Sequence, residues 1–123
     1  MKLEEWNSQI KRGTLEFCVL LLLEPEARYG YELISILEQW PMVAAGESTI
    51  YPLLRRLLKD GLLCAFWQDT AEGLPPRKDY SLTAAGKTQL TAMKNHWNTL
   101  TATIQTIQEG HYEHSSEHIS GKG

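Results

Sequence analysis

The stretch that decides the fold is STIYPLLRRLLKDG, residues 48–61. Its composition predicts a helix that begins near Ser48 or Thr49 and ends at Lys59. Pro52 falls in the first turn, where its missing N–H does no harm, and the Asp-Gly pair after Lys59 is a typical helix exit. Because each residue turns a helix by about 100°, the two sides of this helix differ in chemistry. One side is apolar, with Ile50, Leu53, Leu54, Leu57 and Leu58, and the other carries Tyr51, Arg55, Arg56 and Lys59.

Two helices are predicted before this one and a hairpin after it. The first covers about residues 7–23, and its second half is apolar all round, so it must be covered on more than one side. The second covers residues 32–40 and ends at Pro41. Strands are predicted at residues 62–68 and 78–82, joined by a long polar tip. This order, with a cationic third helix, is the layout of a winged helix-turn-helix, whose third helix enters the DNA major groove.

A last helix is predicted after the hairpin, with Thr83 as its N-cap. Its apolar residues recur every three or four positions, the spacing of a heptad seam, over about two and a half heptads. Because a seam of this kind needs a partner, a second copy of the chain is expected to cover it. The predicted dimer interface consists of Phe17, Leu21, Leu90, Met93, Trp97, Leu100, Ile104 and Ile107.

The predicted fold class is therefore mainly α: a winged helix-turn-helix of three helices and a two-stranded wing, with an additional C-terminal dimerisation helix. The winged domain is assigned to residues 1–82, the dimerisation helix to residues 83–108 and a flexible tail to residues 109–123. The tail holds His111, His114 and His118, but a loose segment offers no surrounding groups to orient metal ligands. No metal site and no cofactor are predicted.

Charge is distributed unevenly along the chain. The net charge of −3 and the pI of about 5.8 give no support to nucleic-acid binding by the chain as a whole. Residues 48–87, however, hold six of the 12 basic residues and only four of the 15 acidic ones. Arg77 and Lys78 place part of this charge on the hairpin. A charged helix side is often only solvated, but its coincidence with the third helix and the hairpin favours DNA as the partner.

Features of enzymes and of membrane proteins are not found in the sequence. It has no phosphate-cradling glycine loop and no Ser-His-Asp or Cys-His arrangement, so the chain is predicted not to be an enzyme. The longest apolar run, residues 17–23, is seven residues long, whereas a membrane span needs about 20. Cys18 and Cys64 are isolated thiols that are expected to be buried and reduced. A cytoplasmic location is predicted.

Four ordered blocks closely resemble the PadR family of bacterial transcriptional regulators. They are RYGYEL at residues 28–33, STIYPLLRRL at 48–57, KDGLL at 59–63 and PRKDYSLTAAG at 76–86. The resemblance runs from about Lys11 to Trp97, and the single short C-terminal helix resembles the smaller PadR subgroup. It implies a dimeric repressor whose C-terminal helix packs against the partner subunit. It also implies that the residues at or near DNA are Tyr29, Ser48, Thr49, Tyr51, Arg55, Arg56, Lys59, Arg77 and Lys78.

Three positions carry further expectations from this resemblance. Ser48 stands where many members have glycine, and it suits a helix cap. Asp79 stands where an aromatic residue is usual and places an acid beside the wing cations. A tryptophan at the position of Trp97 lines an apolar pore and stacks on flat ligands in multidrug-responsive members. Met93 and Trp97 are thus candidate contacts for a planar apolar or cationic effector, and the alternative is that both only fill the dimer seam.

The sequence predicts a homodimeric repressor that binds a pseudo-palindromic operator through the third helix and the wing, with half-sites about 34 Å apart or a multiple of it. Ligand binding at the dimer seam is expected to release it. The alternative is a winged-helix module for protein interaction or small-molecule binding that has no DNA-binding activity. The acidic total charge keeps this alternative open.

Overall fold

The helices and strands follow the predicted order. In residues 2–114, which the computed structural model describes, the chain forms four helices and three strands. The mainly helical winged fold with an additional C-terminal helix is thereby confirmed. The helices are α1 (Leu3–Leu23), α2 (Gly30–Leu37), α3 (Glu47–Lys59) and α4 (Ala84–Gln108), and the strands are β1 (Arg28–Tyr29), β2 (Leu63–Gln68) and β3 (Arg77–Leu82).

The core is built around the apolar side of α3, which lies against α2 and β2, while α1 contacts β3. Ile50, Leu54 and Leu57 of α3 are completely buried, as their helical spacing predicts. Burying each such side chain stabilises the fold by about 1.5–3 kcal/mol. The other fully buried large side chains are Val19 and Leu20 of α1, Leu33 and Leu37 of α2, and Leu90 of α4. The buried side of α3 therefore fixes which of its residues face outward.

The helix ends differ from the predicted ones in four places, one of which is the start of α2, at Gly30 instead of residue 32. α1 begins at Leu3, earlier than predicted, with Glu4 and Glu5 in its first turn, where carboxylates stabilise a helix N-terminus. α2 ends at Leu37, before Trp40, and a turn follows in which the Ala44 N–H donates to the Trp40 carbonyl at 2.9 Å. α3 is capped by the backbone of Gly46, so the assignment of Ser48 as the cap is wrong.

The sheet has three antiparallel strands in the order β1-β3-β2, one more than the predicted two-stranded wing. β2 and β3 form the hairpin, which we call the wing together with its connecting loop. β1 adds two residues, with Arg28 opposite Tyr80 and Tyr29 opposite Asp79. The Arg28 Nε anchors this strand by donating to the Leu22 carbonyl at 2.7 Å. A two-residue strand has no alternation to reveal it in a sequence.

Thr83 links the wing to α4 and caps that helix, as predicted. Its Oγ1 accepts a hydrogen bond from the Gly86 N–H at 3.0 Å and donates one to the Gly61 carbonyl at 2.6 Å. Gly86 comes so close to Leu62 that an added Cβ would lie 2.1 Å from the Leu62 carbonyl oxygen. Only glycine fits there, since that contact is with backbone and cannot swing away.

The chain divides into two compact units, one ending at Thr91 and one beginning at Ala92. The first holds α1, α2, α3, the sheet and the start of α4, and the second holds the rest of α4. Of the predicted tail, residues 109–114 form no helix or strand, and residues 115–123, with His118, lie outside the described residues.

Two observations concern the thiols and the membrane. Cys18 is partly buried, and burial raises its pKa. Cys64 is exposed, so the expectation that both thiols are buried is wrong for Cys64. Among residues 2–114, none of the helices combines the length and the apolar composition that a membrane span requires.

Candidate nucleic-acid interface

Six predicted DNA contacts lie together on α3. We call them the outward side of α3: Ser48, Thr49, Tyr51, Arg55, Arg56 and Lys59. Five of them are exposed, and Tyr51 is half-buried. Among the residues that the structure describes, neither Arg55 nor Lys59 forms an ion pair with a carboxylate. The positive charge of each is therefore not compensated by a neighbouring carboxylate at the surface.

Tyr51 holds α3 against the first turn of α2. A Cβ added at Gly30 would lie 2.5 Å from its Cε1 and 2.9 Å from its hydroxyl oxygen, so the ring occupies the space that a larger residue 30 would fill. Burial and the nearby Glu47 carboxylate raise the pKa of Tyr51, and the phenol is a hydrogen-bond donor at neutral pH. The glycine of the RYGYEL block is thereby explained by close packing.

Tyr80 of β3 connects the outward side of α3 to the wing. Its side chain is buried, and burial together with the neighbouring Tyr51 raises its pKa, while the Arg55 guanidinium lowers it. The charges of Tyr51 and Arg55, both on α3, thus reach the Tyr80 hydroxyl on β3. The base of the wing and the outward side of α3 are therefore neighbours in the fold.

Arg56 is placed differently from Arg55. Its Nη2 donates to Oε1 of Glu16 in α1 and forms an ion pair with it. The positive charge of Arg56 is therefore partly compensated, and it lies at the edge of the outward side that faces α1. No sequence pattern indicates this pair, because the two residues are 40 positions apart.

A groove of about 550 Å³ separates α1 from the first three turns of α3. We call it the α1–α3 groove. Its floor includes Leu15 and Leu53, and its charged and hydroxyl-bearing walls are formed by Lys11, Arg12 and Glu16 of α1 and by Ser48, Thr49 and Arg56 of α3. Lys11 and Arg12 were not predicted as site residues, because they belong to the acidic first third of the sequence.

The pairing of β1 with β3 brings three residues together at the wing root, which consists of Tyr29, Arg77 and Asp79. Arg77 Nε donates to Asp79 Oδ1 at 3.0 Å, and its guanidinium lies 4.5 Å from the centroid of the Tyr29 ring. Asp79 is 3% exposed. The acid that departs from the family pattern thus orients one wing cation and partly neutralises it.

Lys78, the second wing cation, lies among aromatic rings. Its Nζ is 5.9 Å from the centroid of the Trp67 ring, which faces it across the hairpin, and 5.8 Å from that of Tyr80. Trp67 is 69% exposed. It was not among the predicted site residues, although its position opposite Lys78 in the hairpin is a signal that the sequence contains.

The predicted dimer residues fall into three groups by their exposure. On the second unit, the apolar stripe of α4 is well exposed, at 38% for Trp97, 49% for Leu100, 48% for Ile104 and 60% for Ile107. Met93 is half-buried, as are Phe17 and Leu21 of α1. Leu90 is 1% exposed and has almost no surface left for a partner, so its assignment to the dimer interface is wrong.

Comparison with known proteins identifies relatives of the chain. The family model described as "Transcriptional regulator PadR-like family" matches residues 19–92. This range includes α2, α3, the sheet and the start of α4.

Solved structures agree with this match. A PadR-like transcription factor from Bacteroides fragilis is 38% identical, with a TM-score of 0.69, over 84% of this chain and 98% of that one. A PadR family regulator from Eggerthella lenta is 32% identical, with a TM-score of 0.76, over 87% and 92% of the two chains. Bacillus subtilis PadR, solved in complex with operator DNA, is 28% identical, with a TM-score of 0.58, over 65% of this chain and 45% of that one. These relatives are regulators and not enzymes, as was predicted for this chain.

Proposed function

The chain belongs to the PadR-like family of transcriptional regulators, and from that premise we propose that it is a homodimeric repressor that binds a pseudo-palindromic operator. The observation that carries the proposal is the outward side of α3, where Arg55 and Lys59 project from a helix whose opposite side is buried in the core. An operator-binding regulator works on the chromosome, so the cytoplasm is its proposed location.

In this proposal α3 enters the major groove. Arg55 and Lys59 neutralise phosphates or donate to guanine edges, while the hydroxyls of Ser48 and Thr49 bond at the N-terminal end of the helix. Tyr51 contributes its phenol at the boundary with α2, where its packing over Gly30 holds it in place. The helix is thus presented as a rigid body, and little conformational entropy is lost when it binds.

The wing contacts the neighbouring backbone or the minor groove. Arg77 is held by Asp79 and by the Tyr29 ring, which leaves its orientation fixed before DNA arrives. Lys78 keeps its ammonium group within 5.9 Å of the centroids of two aromatic rings. A positioned cation beside a narrow groove adds alignment as well as attraction.

Dimerisation is proposed to cover the apolar stripe of α4, because four large apolar side chains at heptad spacing are costly to leave in water. Two copies of α3 would then reach successive major grooves about 34 Å apart. Leu100→Glu and Ile104→Glu should each convert the dimer to a monomer in sedimentation experiments. Thr99→Glu, at an exposed position outside the stripe, serves as the control.

Met93 and Trp97 lie on the same helix and are proposed to report effector binding. A flat ligand that stacks on Trp97 should quench its fluorescence. It should also weaken DNA binding if it favours a dimer conformation in which the spacing of the two α3 helices does not match the operator. If a varied panel of planar compounds leaves the fluorescence of the Trp97→Phe variant and of the wild type equally unchanged, both residues only fill the seam.

A selection from a random duplex library tests the proposal as a whole. The full chain should enrich a sequence with two-fold symmetry. The affinity for that sequence should fall steeply with salt, because binding releases counterions from the DNA phosphates and this release is less favourable at high salt. Enrichment of no sequence, together with an affinity that salt does not change, would favour a winged-helix module without DNA-binding activity.

A further inference from the structure

We propose that the α1–α3 groove is a second anchoring surface for DNA, in which Arg12 and Lys11 hold a backbone phosphate next to the major groove that α3 enters. The inference rests on the proposed function, because it assigns further contacts to the same interface. The residues implied by family resemblance lie on β1, α3 and β3, whereas Lys11 and Arg12 lie on α1.

Charge in the groove favours an anion. Of the charged residues that line it, Lys11, Arg12 and Arg56 are cations and Glu16 is the one carboxylate. The protein as a whole carries a net charge of −3, so this surface stands out as locally positive. Local potential of this kind attracts a polyanion in spite of an acidic total charge.

The groove is continuous with the outward side of α3. Ser48, Thr49 and Arg56 belong to both surfaces, and Pro52 lies between them on the same helix. A duplex seated on α3 therefore brings one strand of its backbone beside the groove. Phosphodiester groups follow one another along that strand, and hydroxyl and guanidinium donors on both walls suit their oxygens.

The two cations of α1 are arranged for such a contact. Arg12 is exposed and, in the part of the chain that the structure describes, takes part in no ion pair. Lys11 Nζ donates to the Ala44 carbonyl at 2.7 Å, which fixes the ammonium group against the connection between α2 and α3. An ammonium group has three donors, so two remain for a phosphate.

Glu16 opposes the contact. It is paired with Arg56, and its negative charge repels a phosphate in the groove. Loss of that charge would leave Arg56 fully available. Neutralising Arg12 and neutralising Glu16 should therefore change the DNA affinity in opposite directions. A purely structural role for either residue would not produce this result.

The experiment measures the affinity of the full chain for one duplex by fluorescence anisotropy at several salt concentrations. Arg12→Gln should weaken binding roughly threefold to fivefold, similarly for all DNA sequences. It should also make the negative slope of log affinity against log salt shallower by about 1. Glu16→Gln should strengthen binding by a similar factor and steepen that slope. Lys87→Gln removes an exposed cation of α4 outside the groove and should change neither quantity. Circular dichroism and thermal unfolding of each variant check that the fold is kept.

Two results separate the inference from the function on which it rests. If Arg12→Gln and Glu16→Gln leave affinity and slope unchanged while Arg55→Ala weakens binding, DNA is bound through α3 without the groove and the inference is overturned. A groove that binds a small organic anion instead of DNA would give this same result. If the wild-type chain binds no duplex in a salt-dependent way, the proposed function fails, and the inference fails with it.

Discussion

The outward side of α3 and the wing carry their cations in different ways. On α3, Arg55 and Lys59 form no ion pair with any described residue, whereas in the wing Arg77 is paired with buried Asp79 and stacked on Tyr29. An unpaired surface cation keeps its full charge for a phosphate, but its long side chain loses entropy on binding. A paired cation is partly neutralised, but its orientation is already set. We infer from this difference that, in the proposed complex, α3 supplies most of the attraction to DNA and the wing supplies most of the alignment.

The largest effect is expected when the unpaired charges are removed. Arg55→Ala combined with Lys59→Ala should reduce DNA affinity roughly 30-fold or more and lower the salt slope by about 2, because two contacts to phosphate or base are lost. The measurement is a salt titration of the variant beside the wild type. The matched control, Lys87→Ala with Lys2→Ala, removes two exposed cations elsewhere. Equal losses in both double variants would show that only total charge matters.

A second prediction concerns how α3 is held in place. Gly30→Ala puts a methyl group 2.5 Å from the Tyr51 ring, so the ring must move, at a cost of about 1–3 kcal/mol in the free energy of unfolding. Gly13→Ala, where an added Cβ meets nothing within 4 Å, should instead stabilise α1 by about 0.5–1 kcal/mol. Denaturant unfolding measures both. An unchanged free energy in Gly30→Ala would mean that Tyr51 does not anchor the helix.

Asp79 offers a way to make the wing resemble α3. Asp79→Asn keeps the size of the side chain but releases Arg77 from its ion pair, so the wing gains net positive charge and loses order. Affinity for random duplex should rise about twofold to threefold while the preference for the selected operator falls, and the free energy of unfolding should fall by about 1 kcal/mol. Titrations with both duplexes measure the ratio of the affinity for the operator to the affinity for random duplex. A higher ratio in Asp79→Asn would contradict the alignment role of the pair.

The sequence predicts those features of the fold and the candidate site that depend on residues close together in the chain, and it does not predict those that depend on residues far apart. The two chemical sides of α3 and the cap at Thr83 depend on residues within a few positions of one another, so helical spacing and hydrogen-bonding chemistry predict them. The pairing of Arg56 with Glu16, the packing of Tyr51 on Gly30 and the burial of Leu90 depend on residues far apart in the chain. Helical spacing alone therefore assigned Arg56 the same role as Arg55 and placed Leu90 in an interface.

The smallest effect is expected from pH. Burial raises the pKa of Tyr51 and of Tyr80 above the ordinary value of 10.0. A raised pKa for these groups means that the folded state resists their ionisation, so the stability they contribute is complete below pH 10 and is lost as the pH rises through their folded-state values. The thermal unfolding temperature should therefore fall above about pH 10, and it should fall less in Tyr51→Phe. An identical pH profile in that variant would assign the loss to other groups.

Site-specific photo-crosslinking tests the central claim most directly. A photoreactive residue is placed at Ser48, on the outward side of α3, or at Lys87, on α4, and each full-length protein is irradiated while bound to the selected duplex. We predict crosslinks from position 48 to bases in the major groove and none from position 87. Crosslinks from position 87 alone would show that α3 does not face the DNA.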